Sequence, residues 1–283
     1  MLTHLRARPE APARIVIMGA GGFIGGAVAA RAVAAGMPTL ALTRADVDLL
    51  AADAADRLAG LLRPDDTFVA ASAIAPVKTV AMLADNLIMV RAMVAALSKS
   101  PVAHVVNIGS DAVFADLAVP LTESSPRAPD SLHGAMHLAR EIAFAAEVRV
   151  PLATLRPTLV HGERDPHNGY GPNRFRRLAA AGEDIVLFGE GEKRRDHVLI
   201  DDVAELALRM LTHRSTGSLN AATGQVLSFR EIAERVVAAS GRQITIKGSP
   251  RNGPMPHNGY RAFDIAAIAA AFPGFTPTPF PAA

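Results

Sequence analysis

Short apolar runs alternate with longer helical stretches along the first half of the chain. The runs that are typical of buried strands are Arg14-Ile-Val-Ile-Met18 and residues 39–43, 67–71, 102–108 and 152–155. The stretches with helical character include residues 77–98 and 131–147. Strands that alternate with helices favour a parallel sheet covered on both faces. We therefore predict an α/β fold with a doubly wound parallel sheet.

The amino-acid composition of the sequence changes after Arg156-Pro157. Gly, Pro and Asn crowd residues 162–173, and further helical patches follow at residues 203–212 and 228–239. We predict a larger sheet domain over residues 1–160. A smaller C-terminal lobe over residues 161–283 is expected to be interleaved with the last strands and helices of the sheet. Its proline-rich end, residues 272–283, is predicted to drape over the surface.

Composition excludes several classes of protein. The 29 Lys and Arg against 27 Asp and Glu give a net charge of +2 without a block of like charges, so we expect no nucleic-acid partner. The chain has no cysteine, which excludes disulfides, thiolate zinc sites and cysteine nucleophiles. The uncharged stretch 15–30 contains five spaced glycines and ends at Arg31, so we interpret it as a buried strand and helix rather than a signal or membrane segment. We expect a cytoplasmic protein without a membrane partner.

Glycines stand between the first apolar run and the helix that follows it. Gly19, Gly22 and Gly25 let backbone N–H groups and the start of the helix approach a pyrophosphate, which indicates a Rossmann-type dinucleotide-binding domain over residues 1–160. The alternative is a glycine-rich turn in an alanine-rich protein. Arg44 lies nineteen residues after Gly25, where an acidic residue would hold the 2′-OH of NAD. An arginine there suits a 2′-phosphate, so we predict NADP(H) over NAD(H), although Arg44 could also be a solvated loop residue.

These motifs resemble the extended short-chain dehydrogenases/reductases, the family of NAD-dependent epimerases and dehydratases. The resemblance runs over nearly the whole chain. It implies the following cofactor-binding residues: the Gly19-x-x-Gly22-Phe23-Ile24-Gly25 turn, Asp48 and Leu49 at the adenine, Ala71, Ser72 and Ala73 beneath the cofactor, and Asn86 in the following helix.

The same resemblance points to a catalytic segment with two departures from the family pattern. Gly109-Ser110-Asp111 is similar to the strand end that carries a catalytic Ser or Thr. The family's helix reads Pro-x-Ser-x-Tyr-Gly-x-x-Lys, whereas this chain has Pro129-Asp-Ser-Leu-His133-Gly-Ala-Met-His137. By resemblance, Ser110 hydrogen-bonds the substrate oxygen and His137 replaces the lysine at the cofactor ribose. His133 could exchange the proton, since the pKa of imidazole lies near neutrality.

Alternatives to this histidine chemistry remain open at the level of sequence. Tyr170 or Tyr260, the only two tyrosines, could enter the pocket from the C-terminal lobe; each ends a copy of the tetrapeptide His-Asn-Gly-Tyr. Both histidines could be inert. Their spacing of four also allows two metal ligands on one helix face, but no third ligand or neighbouring Glu is evident, so we predict no metal site.

The C-terminal lobe supplies the candidate substrate-binding residues. The resemblance places Arg195 and Asn173 where family members contact a substrate phosphate or nucleotide, and it adds Asp111 beside Ser110. Arg251 and Tyr170 are further candidates from neighbouring loops. The competing interpretations are surface arginines and, for Asn173, a helix N-cap.

Two functions follow from these motifs. The first is an NADP-dependent reductase or epimerase acting on a carbonyl or carbinol carbon of a sugar or sugar nucleotide, a small-molecule substrate. The second is a catalytically inactive NADP(H) sensor of the same fold. The resemblance also implies a homodimer formed through the helices at 77–98 and 131–147.

Overall fold

The computed structural model describes residues 1–166 and 168–281. Its strands are β1 Thr3–His4, β2 Arg14–Met18, β3 Thr39–Leu42, β4 Asp66–Ala70, β5 His104–Ile108, β6 Leu152–Pro157, β7 Leu159–His161, β8 Ile185–Phe188, β9 Arg194–Leu199, β10 Ser215–Ala221, β11 Val226–Ser228, β12 Ile246–Ser249 and β13 Tyr260–Arg261. Its α-helices are α1 Phe23–Ala34, α2 Ala54–Ala59, α3 Val80–Lys99, α4 Leu132–Glu147, α5 Pro172–Ala181, α6 Ile200–Thr212, α7 Phe229–Ser240 and α8 Ala266–Ala271. Short 3₁₀ turns lie at Asp111–Val113 and Pro256–Gly259.

A seven-stranded sheet in the order β1-β10-β6-β5-β4-β2-β3 forms the centre of the molecule. Every pairing is parallel except that of β1 with β10. Alternate residues of β2 supply two separate cores. Ile15 and Ile17 pack with α1 and α6 on one face, and Val16 and Met18 pack with α2, α3 and α4 on the other. The predicted doubly wound α/β fold is confirmed.

The C-terminal lobe is built on two small sheets. Strand β9 pairs with β7, β11 and β13, and β8 pairs with β12. Helix α6 and strand β10 come from this half of the chain, yet they belong to the large sheet domain. The boundary at residue 160 stays a prediction, because the C-terminal half contributes to both units.

The described part of the proline-rich end is mostly exposed, in agreement with the predicted surface tail, and buried side chains anchor it. Phe280 is 4% exposed and packs in the apolar core of the lobe. The backbone N–H and hydroxyl of Thr278 donate to the carboxylate of Asp202 at 2.6 and 3.0 Å. The aromatic ring and the hydroxyl therefore hold the end of the chain despite its prolines; residues 282 and 283 lie outside the described residues.

Helix α3 is long and apolar enough, by length and composition alone, to cross a bilayer. In the structure it packs between α2 and α4 and buries seven of its residues. The core helix of a globular protein passes the same test of length and hydropathy.

Candidate active site

The glycine turn after β2 is required by close backbone packing. Gly19 has φ +103°, and a Cβ there would lie 2.6 Å from the backbone nitrogen of Ser72. A Cβ at Gly25 would lie 2.2 Å from the carbonyl oxygen of Gly19. Only glycine allows the turn and the first residues of α1 to approach the end of β4 this closely.

The N-terminus of α1 is open to an anion. Gly22 is the N-cap, and within the described part of the chain no side chain accepts a hydrogen bond from the first turn, which also contains no acidic residue. The unpaired N–H groups and the helix dipole both favour a negatively charged group at this point. The turn therefore fits the pyrophosphate of a dinucleotide.

Two of the clefts that reach the glycine turn contain the predicted site residues. The first, of about 420 Å³, is called here the adenine cleft; its walls include Gly19, Gly22, Arg44, Asp48, Leu49, Ala71, Ser72 and Ala73. The second, of about 520 Å³, is called the reaction cleft; its walls include Phe23, Ile24, Gly25, Ser110, Asp111, His133, His137, Arg195 and His257. Gly22, Ala71 and Ala73 line both. Residues far apart in sequence are thus brought to one continuous groove above the sheet.

Arg44 lies at the outer edge of the adenine cleft. Its guanidinium pairs with the carboxylate of Asp48 at 3.0 Å and leaves the arginine side chain 76% exposed. The backbone N–H of Leu50 and Arg44 lower the pKa of Asp48, so this carboxylate stays ionised. The arginine is available to a second anion from the solvent side.

Asn86 lies beneath the loop after β4 and is not among the described residues that line the two clefts. Its Oδ1 accepts from the backbone N–H of Ile74 at 3.0 Å, and its Nδ2 donates to the carbonyl oxygens of Ile74 and Met82. The side chain is 2% exposed. Asn86 holds the loop after β4 in place, so any effect on a cofactor passes through that loop.

His133 and His137 lie on one face of α4 and line the reaction cleft. Their rings meet edge to face with centroids 4.7 Å apart. Nδ1 of His133 accepts a long hydrogen bond, 3.4 Å, from the backbone N–H of Val77. Nδ1 of His137 is buried without a hydrogen-bond partner among the described residues.

Burial keeps both imidazoles neutral. Loss of solvation lowers the pKa of His133, against a small opposing effect of the Asp111 carboxylate. The pKa of His137 lies well below its usual value, because of burial and then the charges of His133 and Arg140. At neutral pH both rings act as hydrogen-bonding groups and as bases.

Arg140, one turn after His137, is buried beneath the cleft. Its guanidinium donates to the side chain of Asn107 at 2.6 Å and to the carbonyl oxygens of Ser72 and Ala70 at 2.5 and 2.6 Å. Burial lowers its pKa to about 10, so it remains a cation. A positive charge therefore lies under the carboxyl ends of β4 and β5.

Asp111 joins the large sheet to the lobe. It follows β5, and its Oδ2 accepts from Arg195 of β9 and from Arg261 of β13, each at 3.0 Å. The preceding Ser110 caps the 3₁₀ turn, since its Oγ accepts from the N–H of Ala112 at 3.1 Å. Arg195 is buried and paired with the carboxylate of Asp111. The competing interpretation, that Arg195 is an exposed surface arginine, is therefore wrong.

The remaining predicted substrate residues lie away from the reaction cleft. Tyr170 and Arg251 line a third cavity of about 200 Å³ with Phe188, Lys193 and Phe229. The phenolic oxygen of Tyr170 accepts from the N–H of Phe188 at 3.0 Å. Asn173 is in the first turn of α5, where Gly171 is the N-cap, and its Oδ1 accepts from the N–H of Gly162. Neither Tyr170 nor Tyr260 is among the described residues lining the reaction cleft.

Comparison with known proteins agrees with this geometry. The model of the NAD-dependent epimerase/dehydratase family matches residues 15–222. These residues include the walls of both clefts on the side of the large sheet. The chain belongs to the NAD-dependent epimerase/dehydratase family.

Relatives within this family include nucleotide-sugar enzymes. The dTDP-6-deoxy-L-talose 4-dehydrogenase (NAD(P)(+)) of Kitasatospora kifunensis is 28% identical over 299 residues, 96% of this chain and 93% of that protein. The dTDP-4-dehydro-6-deoxy-D-allose reductase of Streptomyces bikiniensis is 32% identical over 102 residues, so the match spans 34% of this chain and 30% of that relative.

Solved structures show the same fold at low identity. The UDP-glucose 4-epimerase of Thermus thermophilus, in complex with NAD, superposes with a TM-score of 0.79 at 21% identity, covering 91% of this chain and 92% of that one. A GDP-L-fucose synthetase from Naegleria fowleri bound to NADP superposes with a TM-score of 0.78 at 18% identity, and the match covers 98% of this chain and 91% of that one.

Sequence reasoning missed His257, which lines the reaction cleft, and the residues that hold it: Asp116, which binds His257, and Arg261, which binds both aspartates. The repeated tetrapeptide drew attention to residues 257–260, but its tyrosine was considered and not its histidine. The first copy begins at His167, which lies outside the described residues. Arg140 could have been noticed, since an arginine three residues after His137 faces the same side of α4.

The burial of the two α4 histidines predicts how they titrate. In a ¹H–¹⁵N NMR titration, the rings of His133 and His137 should protonate only below pH 6.5, with His137 protonating at the lower pH, because desolvation disfavours each imidazolium. Assignments come from His133→Asn and His137→Asn. A midpoint at or above 6.5 for either ring would contradict the neutral site.

Proposed function

We propose that this protein is an NAD(P)-dependent oxidoreductase or epimerase that acts, in the cytoplasm, on a carbonyl or carbinol carbon of a sugar nucleotide. The support is the continuous groove formed by the adenine and reaction clefts, in a chain of the epimerase/dehydratase family. The groove has an anion site at its middle and titratable groups at one end, which suits a dinucleotide lying across the sheet.

The walls of the groove assign a role to each part. Asp48 and Leu49 would contact the adenosine half, and the first turn of α1 would bind the pyrophosphate. When bound, the nicotinamide supplies hydride exchange. His137 lines the reaction cleft at the position where the family has its lysine, and we assign it to the nicotinamide ribose.

His133 takes the place of the family's tyrosine in this proposal. In the structure Nδ1 of His133 accepts from the N–H of Val77, so the proton of the neutral ring is on Nε2. In this proposal that long hydrogen bond breaks and the ring changes tautomer, so that Nε2 accepts the proton of the carbinol as hydride leaves the carbon. In the reverse direction the imidazolium returns that proton to the carbonyl oxygen. Ser110 lies in the same cleft and would hydrogen-bond that oxygen. A buried base needs no neighbouring lysine, because its pKa is already below neutrality.

The nucleotide of the substrate is assigned to the lobe. Arg195 lines the reaction cleft beside Asp111, and Tyr170 and Arg251 line the adjoining small cavity. Arg195 pairs with Asp111 and lines the reaction cleft, where its guanidinium would meet a phosphate of the substrate. Asn173 would act through the loop after β7, to which it is bonded.

Replacement of His133 tests this mechanism. His133→Asn keeps an acceptor for the N–H of Val77 but removes the titrating ring. We expect turnover of dTDP-6-deoxy-L-talose or UDP-glucose to fall by roughly a hundredfold or more, with cofactor affinity unchanged. Stopped-flow fluorescence of NAD(P)H follows both quantities.

One outcome would contradict the role of His133, and another would contradict the enzyme proposal. Turnover that survives His133→Asn removes this residue from the mechanism. Tight NADPH binding without turnover of any nucleotide sugar favours the alternative of an inactive redox sensor.

Arg44 at the rim of the adenine cleft supports a preference for NADP(H). An exposed guanidinium is suited to the 2′-phosphate, which a Rossmann domain presents at this point. Asp48 accepts hydrogen bonds from Nε and Nη2 of Arg44, so it uses only part of the hydrogen-bonding capacity of the guanidinium.

Arg44→Ala should weaken NADPH binding roughly tenfold and leave NADH binding within about twofold, because the lost charge-assisted hydrogen bond serves only the 2′-phosphate. Fluorescence titration with each cofactor measures the change. Arg63→Ala, which removes an exposed arginine outside the cleft, is the control for net charge. Equal losses for both cofactors would speak against the assignment.

Helices α3 and α4 lie side by side and leave apolar side chains exposed. Leu87 on α3 is 41% exposed and Ile142 on α4 is 56% exposed. Their inner faces pack on the sheet through Val90, Met93 and Phe144. We propose that the outer faces pair with those of a second copy in a four-helix interface.

Ile142→Glu should convert this dimer to a monomer, because the interface would bury an unpaired carboxylate at its centre. Sedimentation velocity at micromolar concentration reads the assembly state. Val33→Glu, on the exposed side of α1, is the matched control and should leave the dimer intact. A monomeric wild-type protein would refute the interface directly.

A further inference from the structure

The small cavity of the C-terminal lobe has a lysine among its walls. This cavity of about 200 Å³, called here the aromatic cavity, is lined by Lys193, Arg251 and the rings of Tyr170, Phe188 and Phe229, among others. Lys193 directly precedes β9, and its carbonyl oxygen accepts from the N–H of Phe229 at 3.1 Å. The backbone of the lysine is therefore held beside an aromatic wall.

Positive charges surround the amine of Lys193. Arg251 lines the same cavity, and Arg195 follows two residues along the chain, where side chains of an extended segment return to the same face. Within the described part of the chain, no carboxylate lines the aromatic cavity, and Nζ of Lys193 has no hydrogen-bond partner. The carboxylates of Asp111 and Asp116 attract the amine less than the arginines repel it.

Burial and the two arginines make the amine easier to deprotonate. Loss of solvation, followed by the charges of Arg195 and Arg251, lowers the pKa of Lys193 to about 8. A lysine that is desolvated in an apolar pocket or that lies next to another cation is an activated nucleophile, because more of its amine has a free lone pair at neutral pH. Lys193 meets both conditions.

The other lysines of the chain have different surroundings. Lys99 and Lys247 pair at the surface with the carboxylates of Asp56 and Asp184, each at 2.5 Å. Lys78 is exposed in the segment before α3. None of these three lysines is among the described residues that line the adenine, reaction or aromatic cavities. They are therefore internal standards for the reactivity of Lys193.

The surroundings of Lys193 favour an anionic electrophile with a small apolar group. The guanidinium of Arg251 is suited to a phosphate, and the rings of Phe188 and Phe229 are suited to a short acyl chain. A small acyl phosphate contains both groups. Its phosphate would meet the arginine while its acyl carbon faces the amine.

We propose that Lys193 is an acylation site at which a small acyl phosphate transfers its acyl group to Nζ, and that the resulting amide blocks the aromatic cavity for the substrate nucleotide. Only the blocking rests on the proposed function, which assigns the nucleotide to this cavity. The amide would remove the charge of the lysine and would fill part of a small cavity.

The acyl transfer balances without an oxidant or a reductant. The lone pair of the neutral Nζ forms a bond to the acyl carbon, and the bond between this carbon and the phosphate oxygen breaks. Inorganic phosphate leaves with the electron pair of that bond. The proton lost from Nζ goes to the leaving phosphate or to solvent.

Acetylation followed at each lysine tests the proposal. The whole chain is incubated with acetyl phosphate at neutral pH, and peptide mass spectrometry measures the acetylated fraction of every lysine with time. We expect Lys193 to react roughly tenfold faster than Lys78, Lys99 or Lys247, because its amine is desolvated and flanked by arginines. The rate at Lys193 should rise with pH and level off above about pH 8.

Two arginine variants test the cause of this reactivity. Arg251→Ala removes a charge that lowers the pKa of Lys193 and the group assigned to the phosphate, so acetylation of Lys193 should slow roughly tenfold. Arg242→Ala removes an exposed arginine of the lobe that is outside the aromatic cavity. This matched control should be acetylated at Lys193 as fast as the wild-type protein.

Nucleotide binding reports whether the amide blocks the cavity. Calorimetric titrations with dTDP and with UDP compare each protein before and after treatment with acetyl phosphate. We expect treatment to weaken nucleotide binding to the wild-type protein at least roughly tenfold, because a cation is lost and the cavity is partly filled. Lys193→Arg keeps a cation that does not form this amide, so treatment should leave its nucleotide affinity unchanged.

The outcomes distinguish this inference from the proposed function. If Lys193 is acetylated no faster than Lys78, the acylation site is overturned, whatever the protein does with nucleotide sugars. If Lys193 is acetylated and nucleotide affinity does not change, the blocking is overturned. Fast acetylation of Lys193 in a protein that binds neither dTDP nor UDP before treatment would retain the acylation site and count against the proposed nucleotide site.

Discussion

The shape of the reaction cleft depends on one carboxylate shared by two arginines. Asp111 extends from the large sheet, and Arg195 and Arg261 reach it from two strands of the lobe. All three are nearly buried. Removing one partner would leave an uncompensated buried charge, which costs several kcal/mol. The ion pairs therefore hold the lobe at a set distance from the strand ends, and the cleft is the space between them.

Around this junction the site combines fixed cations with neutral imidazoles. Arg140 lies below the cleft and the two arginines of the junction lie beside it, so a proton on His137 or His257 meets repulsion as well as desolvation. For His133 burial alone lowers the pKa, against the attraction of Asp111. Such rings are bases at neutral pH. The family's tyrosine needs a nearby lysine to lower its pKa, whereas a buried imidazole does not. The proposal that His133 and His137 replace both residues is thus chemically consistent.

Local features of the sequence predicted much of this structure. The apolar runs fell on strands β2 to β6, because a strand buried on both faces must be apolar throughout. The glycine turn was predicted in place because a close backbone approach leaves no room for a Cβ. The sequence did not predict contacts whose partners are remote along the chain. Asn86 hydrogen-bonds the backbone of Ile74, and Phe280 anchors the surface tail in the core of the lobe.

The sequence by itself determined the α/β class, the anion-binding turn and the pair of histidines on one helix face, since each depends on spacing within a few residues. The tertiary structure alone decided which charges meet. Asp116 and His257 are 141 positions apart, and Asp111 and Arg261 are 150 apart. No periodicity or motif encodes such pairs, because they form only when the lobe folds back onto the carboxyl ends of the sheet.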